Sequence, residues 1–185
     1  YNLHAVHSIL FNHEGTKRGE EFVTRKISKG VARIYHAIKN NQSFSPIELG
    51  NLDAQRDWSD SEDFVDGVWK IMNQEKPKDY VLSSNETHTI REFINKSFLC
   101  AGIDGVWHGS GQQEEMSVST EYAIKNEIQS SVLVKINPKF YRPAEVELLL
   151  GDSTPARKEL GWNPKISFDN LVERMVKYDI EIFKI

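Results

Sequence analysis

Apolar residues between Phe22 and Lys39 recur on one face: Val23, Ile27, Val31, Ile34 and Ile38 fall at steps of four, four, three and four, which predicts a helix. Upstream, Ala5 to Phe11 (AVHSILF) is apolar and β-branched and reads as a mostly buried strand. The polar stretch Asn12 to Gly19 between these two has loop chemistry. Ser43 to Leu49 reads as a short strand ending at Gly50, and Pro46 confines it to a sheet edge. Phe64, Val68, Ile71 and Met72 mark a second helix. Asp60, Glu62 and Asp63 crowd its first turn, where acids favour the positive end of the helix dipole.

Asp79 to Ser83 reads as another strand, and Thr89 with Glu92 as a capping box that opens a helix running to about Ala101 and stopped by Gly102. Gly109 to Ser130 is polar with scattered apolar residues and reads as a surface insertion or mobile loop. Val132 to Ile136 recovers a strand. Thr154-Pro155 starts a helix that stops near Gly161, with proline where its missing amide does no harm. A last helix runs from Ser167 to the C-terminus on a stripe of Leu171, Val172, Met175, Val176 and Ile180. Strands alternating with helices indicate an α/β fold.

Composition narrows the classes. The 185 residues hold 23 basic and 27 acidic side chains, a net charge of −4, which disfavours a nucleic-acid binder. The longest apolar run is four residues, Phe98 to Ala101, so no membrane helix is expected. One cysteine, Cys100, allows no intrachain disulfide and no cysteine zinc cage, which points to a reducing, cytoplasmic setting. The chain starts at Tyr1 without Met or a leader pattern and reads as a cut end.

Candidate chemistry begins with Lys17, Arg18, Arg25, Lys26, Lys29 and Arg33. Their spacing fits a solvated helix face, or a basic loop feeding a helix N-terminus, an arrangement anions favour. Tyr35 and Lys39 have the YxxxK spacing in which a lysine lowers the pKa of a tyrosine acting as acid or base. Yet they flank the buried stripe of their helix, with no nucleotide loop upstream, and read as structural. His4 and His7 fall on opposite faces of an extended segment, so no metal site is expected. No G-x-G-x-x-G follows a strand, and no P-loop, HExxH or G-x-S-x-G is present.

Several stretches in order, Ile9-Leu10-Phe11-Asn12-His13-Glu14, Arg18-Gly19, Phe22-Val23-Thr24-Arg25-Lys26-Ile27, Leu49-Gly50-Asn51-Leu52-Asp53, Arg56-Asp57-Trp58, Phe140-Tyr141-Arg142-Pro143-Ala144-Glu145-Val146-Glu147, Gly151-Asp152 and Leu160-Gly161-Trp162-Asn163-Pro164, resemble the GDP-mannose 4,6-dehydratase family. Gly15-Thr16-Lys17 stands where that family has Ser-Pro-Arg, and Ser59-Asp60-Ser61 replaces Gly-His-Ala. The family belongs to the extended short-chain dehydrogenase/reductases. Its glycine-rich loop, its catalytic Thr and Glu and its Tyr/Lys pair lie in an N-terminal half that would precede Tyr1.

The resemblance implies the C-terminal half of such an enzyme. Residues 1–49 would hold the last part of the cofactor-domain sheet plus the first substrate-domain helix. Residues 50–101 would return to the cofactor domain, and 102–185 would form the substrate-binding domain. The full enzyme oxidises mannose C4 by hydride transfer to NADP, eliminates water across C5 and C6, and returns the hydride to C6. The resemblance gives this half no catalytic residue and no metal ligand. It gives His13 and Arg18 to NADP, and Asn12, Val23, Lys26, Gly50, Arg56, Arg142 and Glu145 to GDP-mannose. Arg56 and Arg142 would clamp the diphosphate, and Glu145 would take the ribose hydroxyls. The isolated chain would be inactive, and the full enzyme a homo-oligomer (dimer or tetramer). The alternatives are another nucleotide-sugar epimerase or reductase, or a non-catalytic nucleotide-sugar binding subunit.

Overall fold

The computed structural model describes residues 3–129, 131–141 and 146–183. In chain order these form β1 (Ser8–Leu10), β2 (Asn12–Glu14), α1 (Val23–Lys39), β3 (Ile47–Leu49), β4 (Gln55–Arg56), β5 (Trp58–Asp60), α2 (Ser61–Met72), β6 (Tyr80–Leu82) and β7 (His88–Thr89). There follow α3 (Ile90–Cys100), β8 (Gly105–His108), β9 (Glu115–Val118), α4 (Thr120–Lys125), β10 (Val132–Ile136), β11 (Leu148–Leu149), α5 (Thr154–Leu160) and α6 (Phe168–Ile182).

The helices form where the pattern and caps demand. In α1, Ile27, Val31, Ile34 and Ile38 are buried. Asp60 caps α2 by accepting from Glu62 N at 2.9 Å. Thr89 and Glu92 make the expected reciprocal capping box on α3. Gly161, at φ 59°, ends α5 in the left-handed conformation that glycine adopts without strain.

Four small sheets stand in the order β1-β6, β3-β10-β9-β8, β11-β4-β7 and β2-β5. The β1-β6, β2-β5, β3-β10 and β4-β11 pairings are parallel. Because β3 lies at the edge of its sheet, Pro46 takes no ladder position there, as its chemistry requires. The main core gathers α1, α3 and α6 against the four-stranded sheet, with Phe93, Phe98, Leu133 and Leu171 at its centre. A smaller cluster of Phe64, Ile71, Tyr80, Leu82, Ala156 and Trp162 joins α2, β6 and α5.

Three expectations need correction. The segment 109–130 is no surface loop: it contains β9, which pairs with both β8 and β10, and α4. Met116, Val118 and Ala123 are buried, on elements of four and six residues that are too short to stand out among polar neighbours. The first strand is shorter than Ala5–Phe11 and is not mostly buried, since Ile9 is 54 % and Leu10 38 % exposed. Its only strand partner among the described residues is β6, so one edge and much of one face stay uncovered. Finally, Asn12 to Glu14, read as loop, is the parallel partner of Trp58 to Asp60.

Candidate functional site

Two clefts meet at Asn12. The first, of about 410 Å³, lies between β2, the start of α1, the end of β3, and β4 with β5. Asn12, Val23, Lys26, Gly50 and Arg56 line it, five of the seven residues assigned above to the sugar nucleotide. The other two, Arg142 and Glu145, lie outside the described residues. The second cleft, of about 310 Å³, is lined by Leu10, Phe11, Asn12, His13, Arg18 and Leu149. It therefore holds both residues assigned to the cofactor.

The walls of the first cleft follow from local structure. No side chain caps α1 and no acid occupies its first turn, which begins at the lining residue Val23. Lys26, one turn further, sets its ammonium 3.7 Å from the centre of the Phe140 ring. Desolvation lowers the Lys26 pKa, only partly offset by Glu48, as for a cation held partly out of water. Gly50 is required by close approach: a Cβ there would stand 2.4 Å from the Phe140 carbonyl oxygen. Arg56 donates through Nη1 to the carbonyls of Val146 at 2.6 Å and Gln55 at 2.8 Å, which fixes its direction along the wall.

The basic segment divides among different tasks. Arg25 is buried against Asp179, Lys29 pairs with Glu20, and Arg33 donates to the Ser45 carbonyl. Only Arg18 and Lys26 of this segment line the two clefts. His13 stacks on Phe64 at 5.3 Å and places Nδ1 2.9 Å from the Phe11 carbonyl, which orients the ring. Glu14, 2 % exposed, also lines the first cleft, and burial raises its pKa against the opposing pulls of Thr24, Arg18 and His13.

Tyr35 and Lys39 do not join this site. The Lys39 ammonium sits 4.5 Å from the Tyr35 ring centre, over the ring face, and both line another cleft that shares no residue with these two. His7 pairs with Asp79, and no group of metal-ligating side chains occurs among the described residues. No helix among them is long and apolar enough to cross a membrane. Sequence reasoning missed Glu14, Phe22, Lys139 and Phe140 as lining groups. The alternation of Asn12, His13 and Glu14 as a strand was the available signal for the first of them.

Comparison with known proteins agrees with the motifs. The sequence model of the family described as GDP-mannose 4,6 dehydratase matches residues 1–175. A GDP-mannose 4,6 dehydratase of Drosophila melanogaster is 45 % identical over 184 residues, which cover 100 % of this chain and 43 % of that protein. The one from Homo sapiens is 43 % identical, with 46 % of its length covered. The chain thus spans less than half the length of these relatives. Among solved structures, RMD from Pseudomonas aeruginosa complexed with NADPH superposes with a TM-score of 0.69 at 16 % identity, over 96 % of this chain and 48 % of that one. The dTDP-glucose 4,6-dehydratase of Bacillus anthracis in complex with NAD gives 0.66 at 12 % identity, over 96 % and 45 %. At such identities the likeness is one of fold, the α/β Rossmann type.

Proposed function

Since this chain belongs to the GDP-mannose 4,6-dehydratase family, we propose that it is the sugar-nucleotide-binding portion of an enzyme converting GDP-mannose to GDP-4-keto-6-deoxymannose. The observation that carries the reading is the convergence of Asn12, Val23, Lys26, Gly50 and Arg56 on one cleft. These residues come from β2, α1, the end of β3 and β4, and the chemistry of the cleft suits a nucleoside diphosphate. Lys26, Arg56 and Lys139 supply positive charge, the uncapped start of α1 supplies amides, and Phe22, Trp58 and Phe140 supply apolar surface. In this reading Arg142 and Glu145, from the same family motif, add a second phosphate clamp and a ribose acceptor.

The nicotinamide cofactor, NADP in this reading, lies along the second cleft. The donor set there fits the anionic part of a dinucleotide: Arg18 brings a guanidinium, Asn12 an amide and His13 an imidazole, on a floor of Leu10, Phe11 and Leu149. When bound, the cofactor supplies hydride acceptance and return. The residues of this chain bind and orient: diphosphate contacts remote from the reacting sugar position it, which is how distant binding energy serves chemistry. We assign residues 1–49 to the last part of the cofactor-domain sheet plus the first substrate-domain helix, 50–101 to a return to the cofactor domain, and 102–185 to the substrate-binding domain. The enzyme acts as a cytoplasmic homo-oligomer, and the catalytic groups belong to the part of the longer protein that precedes this chain.

The test is turnover by the full-length protein. Incubation with GDP-mannose and NADP should yield a 4-keto-6-deoxy sugar nucleotide, with no net cofactor reduction. Conversion of a UDP-sugar instead would favour an epimerase or reductase. Binding of GDP-mannose without conversion would favour a non-catalytic binding subunit.

A further inference from the structure

Glu14 and Arg18 stand between the two clefts, one on each wall. Arg18 Nε lies 3.1 Å from Glu14 Oε2, close enough for an ion pair, yet that buried N–H is off the hydrogen-bonding angle. The same carboxylate oxygen accepts the Thr24 hydroxyl at 2.5 Å, in the first turn of α1. On its other side the guanidinium lies over the Phe22 ring, 3.5 Å from the centre, and Phe22 is the N-cap residue of α1 and lines the sugar-nucleotide cleft. The terminal nitrogens of Arg18 make no hydrogen bond to any described residue. The back of the arginine fork is thus held by groups of one cleft while its side chain lines the other.

This differs from the rest of the basic segment. Arg25 and Lys29 pair with Asp179 and Glu20, and Arg33 donates to the Ser45 carbonyl, so each has a partner away from the two clefts. Arg18 approaches its acid through Nε, at 3.1 Å. A guanidinium so held presents its remaining N–H groups in a fixed plane, which suits two phosphate oxygens at once.

We propose that Glu14 is a positioning residue for the cofactor: it orients Arg18 toward the anionic part of the dinucleotide and, through the oxygen it shares with Thr24, couples that cleft to the start of α1 in the sugar-nucleotide cleft. The inference rests on the reading above that places the cofactor in the second cleft. A phosphate that draws Arg18 forward shifts the load on Glu14 Oε2, and Thr24 follows. By linkage, a ligand at α1 must change cofactor affinity by the same factor as the cofactor changes that ligand's.

The experiment titrates the full-length protein with NADPH and with GDP, each alone and each at saturation of the other, by calorimetry. Glu14→Gln removes the charge at nearly constant shape. It should weaken NADPH by about five- to tenfold, the loss of roughly one charge-assisted contact, weaken it more than it weakens GDP, and abolish the mutual effect of the two ligands. Thr24→Val should keep NADPH affinity and lose the mutual effect. Unchanged NADPH affinity in Glu14→Gln, or an equal fall for both ligands together with a lower melting temperature, overturns the proposal. So does a mutual effect that survives both substitutions. Should Glu14→Gln fail to fold, Glu14→Asp, which keeps the charge and withdraws it by one methylene, is read in the same titrations with the same outcomes. Wild-type protein that binds no NADPH sinks the functional reading and this inference together. Wild type that binds it, beside a variant that binds it equally, sinks the inference alone.

Discussion

Arg25 Nη2 stands 2.9 Å from Asp179 Oδ1, and this buried pair joins the N-terminal turns of α1 to the far end of α6. Ser28 Oγ donates to the other carboxylate oxygen at 2.6 Å, and Arg25 also donates to the Thr16 carbonyl, so helix packing and the loop carrying Arg18 share one anchor. Asp179→Ala would leave a buried guanidinium without its counter-charge, which typically costs about 3–5 kcal/mol. Denaturant unfolding of the full-length protein should show a loss of that order. A loss below about 1 kcal/mol, the range of exposed pairs, would mean that water reaches the pair.

The same carboxyl sets a pH dependence whose sign is opposite to the usual acid case. Burial pushes Asp179 above its ordinary value of 3.8, against the lowering effects of Ser28 and Arg25. The folded chain then keeps a proton that the unfolded chain has released. The group's contribution to stability is therefore lost as pH rises from 3.8 through the folded value. Glu14 and Asp60 shift the same way, also chiefly through burial. Melting curves across this range should show wild type losing stability relative to Asp179→Asn as pH rises. A relative gain for wild type contradicts the shift.

Gly50 tests the shape of the sugar-nucleotide cleft. A Cβ there meets the Phe140 carbonyl oxygen at 2.4 Å and its carbon at 2.7 Å, and backbone cannot yield cheaply. Overpacking of this kind costs about 1–3 kcal/mol, and the displaced segment carries Phe140 into the cleft wall. We expect Gly50→Ala to weaken GDP by about tenfold or more and to leave NADPH unchanged, both read by titration.

Tyr35 is the decoy. It lies nine residues beyond Lys26 on α1, about 13.5 Å along the axis, and lines a different cleft. Phenylalanine keeps the ring face on which Lys39 rests. Turnover of Tyr35→Phe in the full-length protein should stay within about twofold of wild type. A fall of several decades with the fold intact would make the hydroxyl catalytic.

The long helices were legible because a 17-residue helix with five apolar positions in phase has no rival reading. The caps at Thr89, Pro155 and Gly161 were equally local signals. The region from Gly105 to Lys125 was not legible, because β8, β9 and α4 gain their meaning from neighbours: Met116 is core only once β10 lies beside it. For the same reason Arg25 read as a surface or phosphate residue, since nothing near it in sequence announces Asp179. The candidate site was drawn from family motifs rather than from spacing, and the lining residues those motifs left unassigned, Glu14 and Phe140 among them, required the folded chain.

Arg56 offers the most direct test of the sugar-nucleotide cleft. Its guanidinium lines that cleft and is aimed by the Val146 and Gln55 carbonyls. Loss of a charge-assisted hydrogen bond costs ~1.5–3 kcal/mol, or roughly ten- to a hundredfold in affinity. Calorimetry of GDP on the full-length protein should therefore show Arg56→Ala weaker by that factor, with NADPH affinity at the wild-type value. Unchanged GDP affinity, or an equal loss for NADPH, would contradict the assignment of this cleft to the sugar nucleotide.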